Sequence, residues 1–433
     1  MNISIIGTGY VGLTTGIALA ELGNKVVLVD VIQEKLDKIM GGKAPFYEPD
    51  VDELLSKHVK AENITTTIDG GYAVMDTDIT FITVGTPSRR DGSMDDSFIR
   101  SATETIADVL KAKEDFHVVV MKSTVVPGTT LGIIKETLER ISGKEAGIDI
   151  GLAMCPEFLR EGAAMKDSMH PDRIVIGCVD DRTFEVLNGL FAPLGSRVLR
   201  TSPTAAEMIK YASNSMLATK ISFANEISRI CEEVGVDVYE IMEGVGLDFR
   251  INPQFLRAGA GFGGSCFPKD VSALRNIAKH LGVETPLLDG VMLNNIIQPV
   301  HLVEVAEVLA GPLEGRKVAV LGLAFKPDTD DIRETRSLPV VNELLKKGAA
   351  VTGSDPKAIE NFRAIAPQIS YSEDPVKAVD DAEIVILMTE WPEYREIDWS
   401  SKFHLALVID GRRSIDPATM KNVKYWSIGS PLP

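Results

Sequence analysis

Cys266 lies in the stretch GFGGSCFPKD, residues 261–270, with three glycines before it and Lys269 and Asp270 behind it. Glycine is costly to order and adds no side-chain packing. Such crowding has two explanations. One is a surface turn around a buried thiol; the other is a nucleophile on a backbone that lets a reacting group come close. The nucleophilic form of cysteine is the thiolate, whose free pKa of about 8.5 falls near a cation. Backbone N–H groups bared by glycines suit a developing oxyanion. The other three cysteines, Cys155, Cys178 and Cys231, sit in strand or helix patterns and read as small hydrophobes.

Further groups fall at helical spacing. Lys210 and Asn214 are four apart in a long helical pattern and so share a face; Lys210 stands among Met208, Ile209 and Tyr211. Glu157 and Glu161, in PEFLREG, are also four apart, and their plain reading is two first-turn acids complementing a helix dipole. The plain reading of Asp270 is an N-cap for DVSALRNIAKHL, and that of Thr124, at a strand end, is a helix-start cap.

A second kind of site opens the chain. GTGYVG, residues 7–12, follows an apolar run and precedes a helical pattern. In that context Gly7 makes a tight turn, Gly9 lets backbone approach a pyrophosphate, and Gly12 allows close helix–sheet packing. Asp30 ends the next apolar run, where an acid meets a ribose 2′-hydroxyl. A 2′-phosphate about 4 Å from that carboxylate would cost about 4 kcal/mol at an effective dielectric near 20. The expected cofactor is therefore NAD, not NADP. Lys35 reads as a surface helix residue or as a further cofactor contact.

These groups need a scaffold. The apolar runs at 2–6, 25–30, 78–85, 116–124, 148–156 and 173–178 alternate with helical patterns such as 97–111. That rhythm predicts a parallel sheet with right-handed crossovers. From Ser202 to about Gly235 the pattern is one helix, roughly 50 Å long at ~1.5 Å per residue. Its start is capped by Ser202 with Pro203 in the first turn, or by a capping box of Thr204 and Glu207. More helix follows to about 310. Strand-and-turn texture returns with GRKVAVLGLAFKPDTDD and continues through KGAAVTGSDP, AEIVILMTEW and LALVIDGRR. The expected fold is α/β: two Rossmann-like, doubly wound parallel-sheet domains, residues 1–201 and 311–433, joined by a long central helix and a helical middle region, 202–310. GLAF replaces the glycine fingerprint in the second domain, so no second dinucleotide site is expected there.

Composition bounds the partners. The 433 residues carry a net charge of −17, which weighs against nucleic-acid binding. No secretory signal is readable and no apolar run reaches 18 residues, so no membrane span is expected. Four scattered cysteines form no disulfide framework, six histidines show no metal-ligand spacing, and the reducing cytoplasm is the expected compartment.

Taken together, GTGYVG, VGTP (84–87), KST (122–124) with Pro127-Gly128, PEFLREG, MIKYASN (208–214), GFGGSCFPKD, GLAFKPDTDDIRETRS (322–337) and DGRR (410–413) resemble the UDP-glucose/GDP-mannose dehydrogenase family almost end to end. The resemblance implies oxidation of a nucleotide sugar's C6 alcohol to a carboxylate with two NAD and one water. It makes Cys266 the nucleophile that traps the aldehyde. Lys210 and Asn214 stand beside C6, and Asp270 partners the lysine and a water. Glu157 serves thioester hydrolysis, and Thr124 holds a catalytic water. On the cofactor side it implies Gly7, Gly9, Tyr10, Val11, Gly12, Asp30, Lys35, Thr86, Thr124, Glu161 and Arg333. For the substrate it implies Glu157, Phe158, Leu159, Glu161, Lys210, Asn214, Arg250, Phe255, Arg257, Phe262, Gly263, Lys326, Arg412 and Arg413, with Arg250 reaching in from the other subunit of a homodimer. No metal is implied.

GFGGSCFPKD and the long-helix sequence are closer to the UDP-glucose branch than to the GDP-mannose or UDP-N-acetylhexosamine branches. Two departures stand out: Cys155 precedes Pro-Glu-Phe where many relatives have Asn or Ser, and Asn252 replaces a common Gly. A single-step hydroxyacid dehydrogenase, which needs no Cys266, and a non-catalytic NAD or nucleotide-sugar sensor are the rival readings.

Overall fold

The structure is a computed structural model that describes residues 1–87, 89, 93–402 and 404–432. The chain forms two compact units, Met1–Ser213 and Asn214–Pro433. In the first, β1 (Asn2–Ile6), β2 (Lys25–Val29), β3 (Ile64–Thr67), β4 (Ile79–Ile82), β5 (His117–Met121), β6 (Ile150–Met154), β7 (Ile174–Cys178) and β8 (Val198–Thr201) form one sheet in the order β3-β2-β1-β4-β5-β6-β7-β8. The central strands β4 to β7 are buried along their whole length, as continuous apolar runs covered on both faces should be. One pairing departs from the parallel expectation: β7 runs antiparallel to β6, through Ala153↔Cys178 and Met154↔Gly177. Only one short helix, Ala164–Met169, lies in the connection between them. The short polar strands β3 and β8 were not expected from the sequence; they form the two edges.

In the second unit, β9 (Lys317–Leu321), β10 (Ala350–Ser354), β11 (Ser370–Tyr371), β12 (Ile384–Leu387), β13 (Leu407–Asp410) and β14 (Tyr425–Ser427) form an all-parallel sheet, order β11-β10-β9-β12-β13-β14. In both sheets the strand order reverses beside the first strand, at β1/β4 and at β9/β12. Such a switch point is where open α/β sheets bind ligands.

The long helix spans Pro203–Val234 and stops at Gly235, φ +80°. Ser202 caps it, accepting the Ala205 N–H at 3.3 Å. The alternative capping box is not formed. The Glu207 carboxylate instead takes the N–H groups of Gly128 and Thr130 and the Thr130 hydroxyl, at 2.5, 2.7 and 2.6 Å.

Candidate active site

The dinucleotide turn is built from close approaches. Gly7 has φ +101°, and a Cβ on it would lie 2.9 Å from the Thr83 carbonyl oxygen. A Cβ on Gly12 would lie 1.9 Å from the Gly7 carbonyl oxygen, so the helix Tyr10–Glu21 closes on the turn only with glycine there. A Cβ on Gly9 would meet nothing within 4 Å, which leaves the backbone open to a pyrophosphate. Asp30 is buried just after β2. Its Oδ2 accepts the Thr8 N–H at 3.0 Å and hydroxyl at 2.6 Å, and its Oδ1 accepts the Ile32 N–H at 3.1 Å. Burial pushes this carboxyl up, but those donors and Lys35, 3.6 Å away, outweigh it and hold it below its ordinary value. It is an anion, the form that accepts a ribose hydroxyl and repels a phosphate. These residues fit NAD. The Thr86 hydroxyl donates to the Thr124 carbonyl at 3.0 Å, and that of Ser123 to Val84 at 2.8 Å, tying the VGTP and KST loops together. Thr124 caps no helix, because the next one begins at Thr130.

The matching turn after β9 is closed. Gly322 has φ +94°, but the Leu323 and Ala324 N–H groups donate to Asp355, at 2.7 and 3.0 Å. The amides that would greet an anion are occupied by the chain's own carboxylate.

In the first unit, Lys210 and Glu157 form a buried ion pair. Lys210 Nζ donates to Glu157 Oε1 at 2.7 Å and to its carbonyl at 2.8 Å. Glu157 Oε2 accepts the Leu159 N–H at 2.6 Å. Burial pushes the Glu157 carboxyl up; Lys210 more than reverses this, so the group is ionised well into the acid range. The first-turn reading of Glu157 and Glu161 fails, since residues 155–160 are irregular and the helix starts at Ala164. Phe158 is stacked under the Arg173 guanidinium at 3.9 Å, and Lys210 lies 5.5 Å from the same ring. Cys155 is buried, and burial raises its thiol, so it rests as the unreactive form.

In the second unit, the helix after the glycine loop begins at Phe267, four residues earlier than an Asp270 N-cap would start it. Cys266 is its N-cap and Pro268 lies in its first turn, so Asp270 is not a cap but a buried first-turn acid. The half-buried Cys266 is in no disulfide. A helix N-terminus favours an anion such as a thiolate. Asp270 accepts Asn214 Nδ2 at 2.6 Å and Lys269 Nζ at 2.7 Å. Lys210 and Asn214 thus stand one turn apart on a helix that contributes to both units.

The glycines around Cys266 serve packing. A Cβ on Gly263 would lie 2.5 Å from the Glu334 carbonyl oxygen, and one on Gly264, φ +81°, 2.7 Å from the Phe325 ring. Asn295 clamps the loop, accepting the Phe262 N–H at 2.7 Å and donating to its carbonyl at 2.9 Å. Asn225 accepts the Gly259 N–H at 2.8 Å.

The remaining candidates differ in setting. The Phe262 ring is buried and meets Phe267 edge-on at 6.1 Å. Phe255 holds φ +65°, an unfavourable conformation for an aromatic residue. Asn252 has φ +66°, the left-handed region that glycine and asparagine share. Arg250 is exposed and paired with Asp248; Arg257 is exposed; Arg333 pairs with Asp331. Lys326 lies 5.4 Å from the Phe325 ring. Of the two final arginines, Arg413 is held by Asp237, while a Cβ on Gly259 would lie 3.1 Å from Arg412. Sequence reasoning missed Glu48, Arg173, Asn225 and Asn295 altogether, and gave Glu207 the wrong partner.

Three family models match the chain in order, each described as UDP-glucose/GDP-mannose dehydrogenase family: the NAD binding domain over residues 1–195, the central domain over 204–296 and the UDP binding domain over 319–417. The UDP-glucose 6-dehydrogenase AglM of Haloferax volcanii is 43% identical over 421 residues, 96% of this chain and 97% of that protein. A UDP-glucose dehydrogenase from Pyrobaculum islandicum is similar in structure, with TM-score 0.92 and 39% identity over 99% of this chain and 98% of the other. A UDP-D-ManNAc dehydrogenase from Pyrococcus horikoshii gives TM-score 0.86 and 28% identity, covering 99% of each chain.

Proposed function

The chain belongs to the UDP-glucose/GDP-mannose dehydrogenase family, NAD-dependent oxidoreductases, and from that premise we propose that it oxidises UDP-glucose to UDP-glucuronate. The balance is one C6 alcohol, two NAD and one water in; one carboxylate, two NADH and three protons out. NAD, when bound, takes the hydride that leaves C6 in each oxidation.

The chain's residues do the rest. Lys210 stabilises the alkoxide and later the oxyanion at the C6 oxygen. The Cys266 thiolate adds to the aldehyde carbon, which prevents its escape and leaves a thiohemiacetal that can lose a second hydride. The resulting thioester is cleaved when water, held by Thr124 and deprotonated by Glu157, adds to the carbonyl carbon and the C–S bond breaks. Asn214 and Lys269 hold Asp270, which orients the water. The observation that carries the reading is Cys266 itself, a half-buried thiol at a helix N-terminus with Asp270 one turn inside. A single-step dehydrogenase has no use for it.

The sugar is assigned as glucose because the UDP-glucose enzymes above share 39% and 43% identity with this chain and the UDP-D-ManNAc enzyme 28%. We assign residues 202–310 to the active site and to a homodimer contact. On the long helix Met216, Phe223 and Ile230 are exposed at intervals of seven residues. Such an unpartnered apolar stripe suits a second copy of the same helix.

The test is the ratio of NADH formed to UDP-glucose consumed, together with intact-protein mass during turnover. Two NADH and a sugar adduct on Cys266 are expected, and Cys266→Ala should form no acid while still binding NAD. Turnover with GDP-mannose or a UDP-N-acetylhexosamine alone would overturn the substrate, and acid formation by Cys266→Ala the mechanism.

A further inference from the structure

Glu48 is a buried carboxylate without a cation paired to it among the described residues. An unpaired buried charge is expensive unless hydrogen bonds satisfy it. Three donors do so here: the Tyr10 hydroxyl at 2.7 Å and the Gly162 N–H at 2.7 Å on Oε2, and the Ala164 N–H at 2.8 Å on Oε1. The Tyr10 hydroxyl also lies 3.2 Å from the Arg160 carbonyl oxygen. Tyr10 is the first residue of the dinucleotide helix, and its ring packs on Phe46 at 5.3 Å between centroids. Gly162 and Ala164 end the loop that starts at Glu157; Gly162 has φ +78°, so the loop turns sharply where Glu48 grips it.

One carboxylate therefore joins the dinucleotide helix to the segment bearing Glu157. The loop has other anchors: Arg160 is bound by Asp167 at 2.9 and 2.6 Å, and Phe158 is stacked under Arg173. The Glu48 and Tyr10 hydrogen bonds run to the first residue of the dinucleotide helix, against which the helix Ala164–Met169 also packs, with Met165 in the same core as Leu13 and Ile17. Burial and the adjoining Glu48 hold the Tyr10 phenol far above its ordinary range, so it stays a donor at every working pH.

We propose that Glu48 is a positioning residue, tying Tyr10 to the 157–164 segment and thereby fixing the orientation of Glu157 for thioester cleavage. This rests on the role given to Glu157 above. A glutamine at 48 could not reproduce the contacts, because its amide nitrogen would face a donor.

The experiment uses the full chain with UDP-glucose and NAD, comparing wild type, Glu48→Gln, Tyr10→Phe and the double variant. Wild type is read first: without two NADH and a Cys266 adduct, it is the proposed function that fails. With those in hand, Glu48→Gln should lower steady-state kcat on the order of 10- to 100-fold, the effect of a misplacement near 1 Å. The NADH burst should stay near wild type, so enzyme carrying a sugar thioester should accumulate and appear as added mass. The Kd for NAD, from titration without sugar, should not move. Tyr10→Phe should act in the same direction more weakly, and the double variant should match Glu48→Gln, because both changes break one link. Equal losses in burst and steady state, or a lowered unfolding midpoint with no added mass, would overturn the proposal. If Glu48→Gln does not fold, Tyr10→Phe decides alone: a folded Tyr10→Phe enzyme that accumulates no adduct refutes it.

Discussion

Glu157 and Lys210 form a buried ion pair whose contribution to folding can be tested apart from the chemistry proposed for it. Removing one partner of a buried ion pair leaves an uncompensated charge and typically costs about 3–5 kcal/mol. Lys210→Ala should therefore lower the thermal unfolding midpoint markedly, as read by calorimetry. The pH dependence has a definite sign. The folded-state pKa of Glu157 lies below its ordinary value of 4.5, so the pair's contribution is present above that pH and is lost as pH falls through the folded pKa. Lys210→Ala should accordingly be far less stable than wild type at pH 7, with the gap narrowing below pH 4.5; a gap constant across that window would contradict the ionised pair. The four-residue spacing placed Lys210 and Asn214 on one helix face, while the site role proposed for Lys210 came from the family resemblance. That Glu157 spends one oxygen on the Leu159 N–H and the other on Lys210 was not legible, because nothing in PEFLREG distinguishes a helix turn from the irregular loop it forms and Lys210 is 53 residues away.

The glycine loop before Cys266 is the element that sequence reading placed well and explained incompletely. Its glycines were expected to admit a reacting group, whereas at Gly263 and Gly264 the atoms that come close are those of Glu334 and Phe325. These partners lie far along the chain in GLAFKPDTDDIRETRS, and no local pattern reveals such a contact. Gly264→Ala combines a positive φ with a Cβ 2.7 Å from a ring, a strain on the order of 1–3 kcal/mol. It should lower sugar oxidation and the unfolding midpoint while NAD affinity stays unchanged, since the dinucleotide turn belongs to the other unit. Weaker NAD binding in that variant would mean that the loop does more than hold Cys266. Glu48 shows the same limit on reading: a lone acid in a loop resembles a solvated one, and its bonds go to residues 114 and 116 positions away. Strand direction escaped for a related reason. β6 and β7 are both apolar runs, and only their connection sets them antiparallel.

For the molecule as a whole, the alternation of apolar runs and helices in the sequence specified two α/β sheets, and both sheets are present with their switch points beside the first strand. The assembly is a separate matter, because a symmetric partner leaves only a surface pattern on one chain. Phe249 is 90% exposed next to Arg250, and Phe223 lies in the apolar stripe of the long helix. If two copies pack through that helix, wild type should have twice the 47.0 kDa chain mass by light scattering, and Phe223→Asp should shift the mass toward one chain. If Arg250 serves the partner's site, the consequence is more specific. Cys266→Ala and Arg250→Ala chains would each be inactive alone. A mixed two-fold dimer places both lesions in one site and leaves the other intact, so equal mixing with full exchange should restore about a quarter of wild-type activity. Were Arg250 to act within its own chain, every site in the mixture would carry a lesion and mixing would restore nothing.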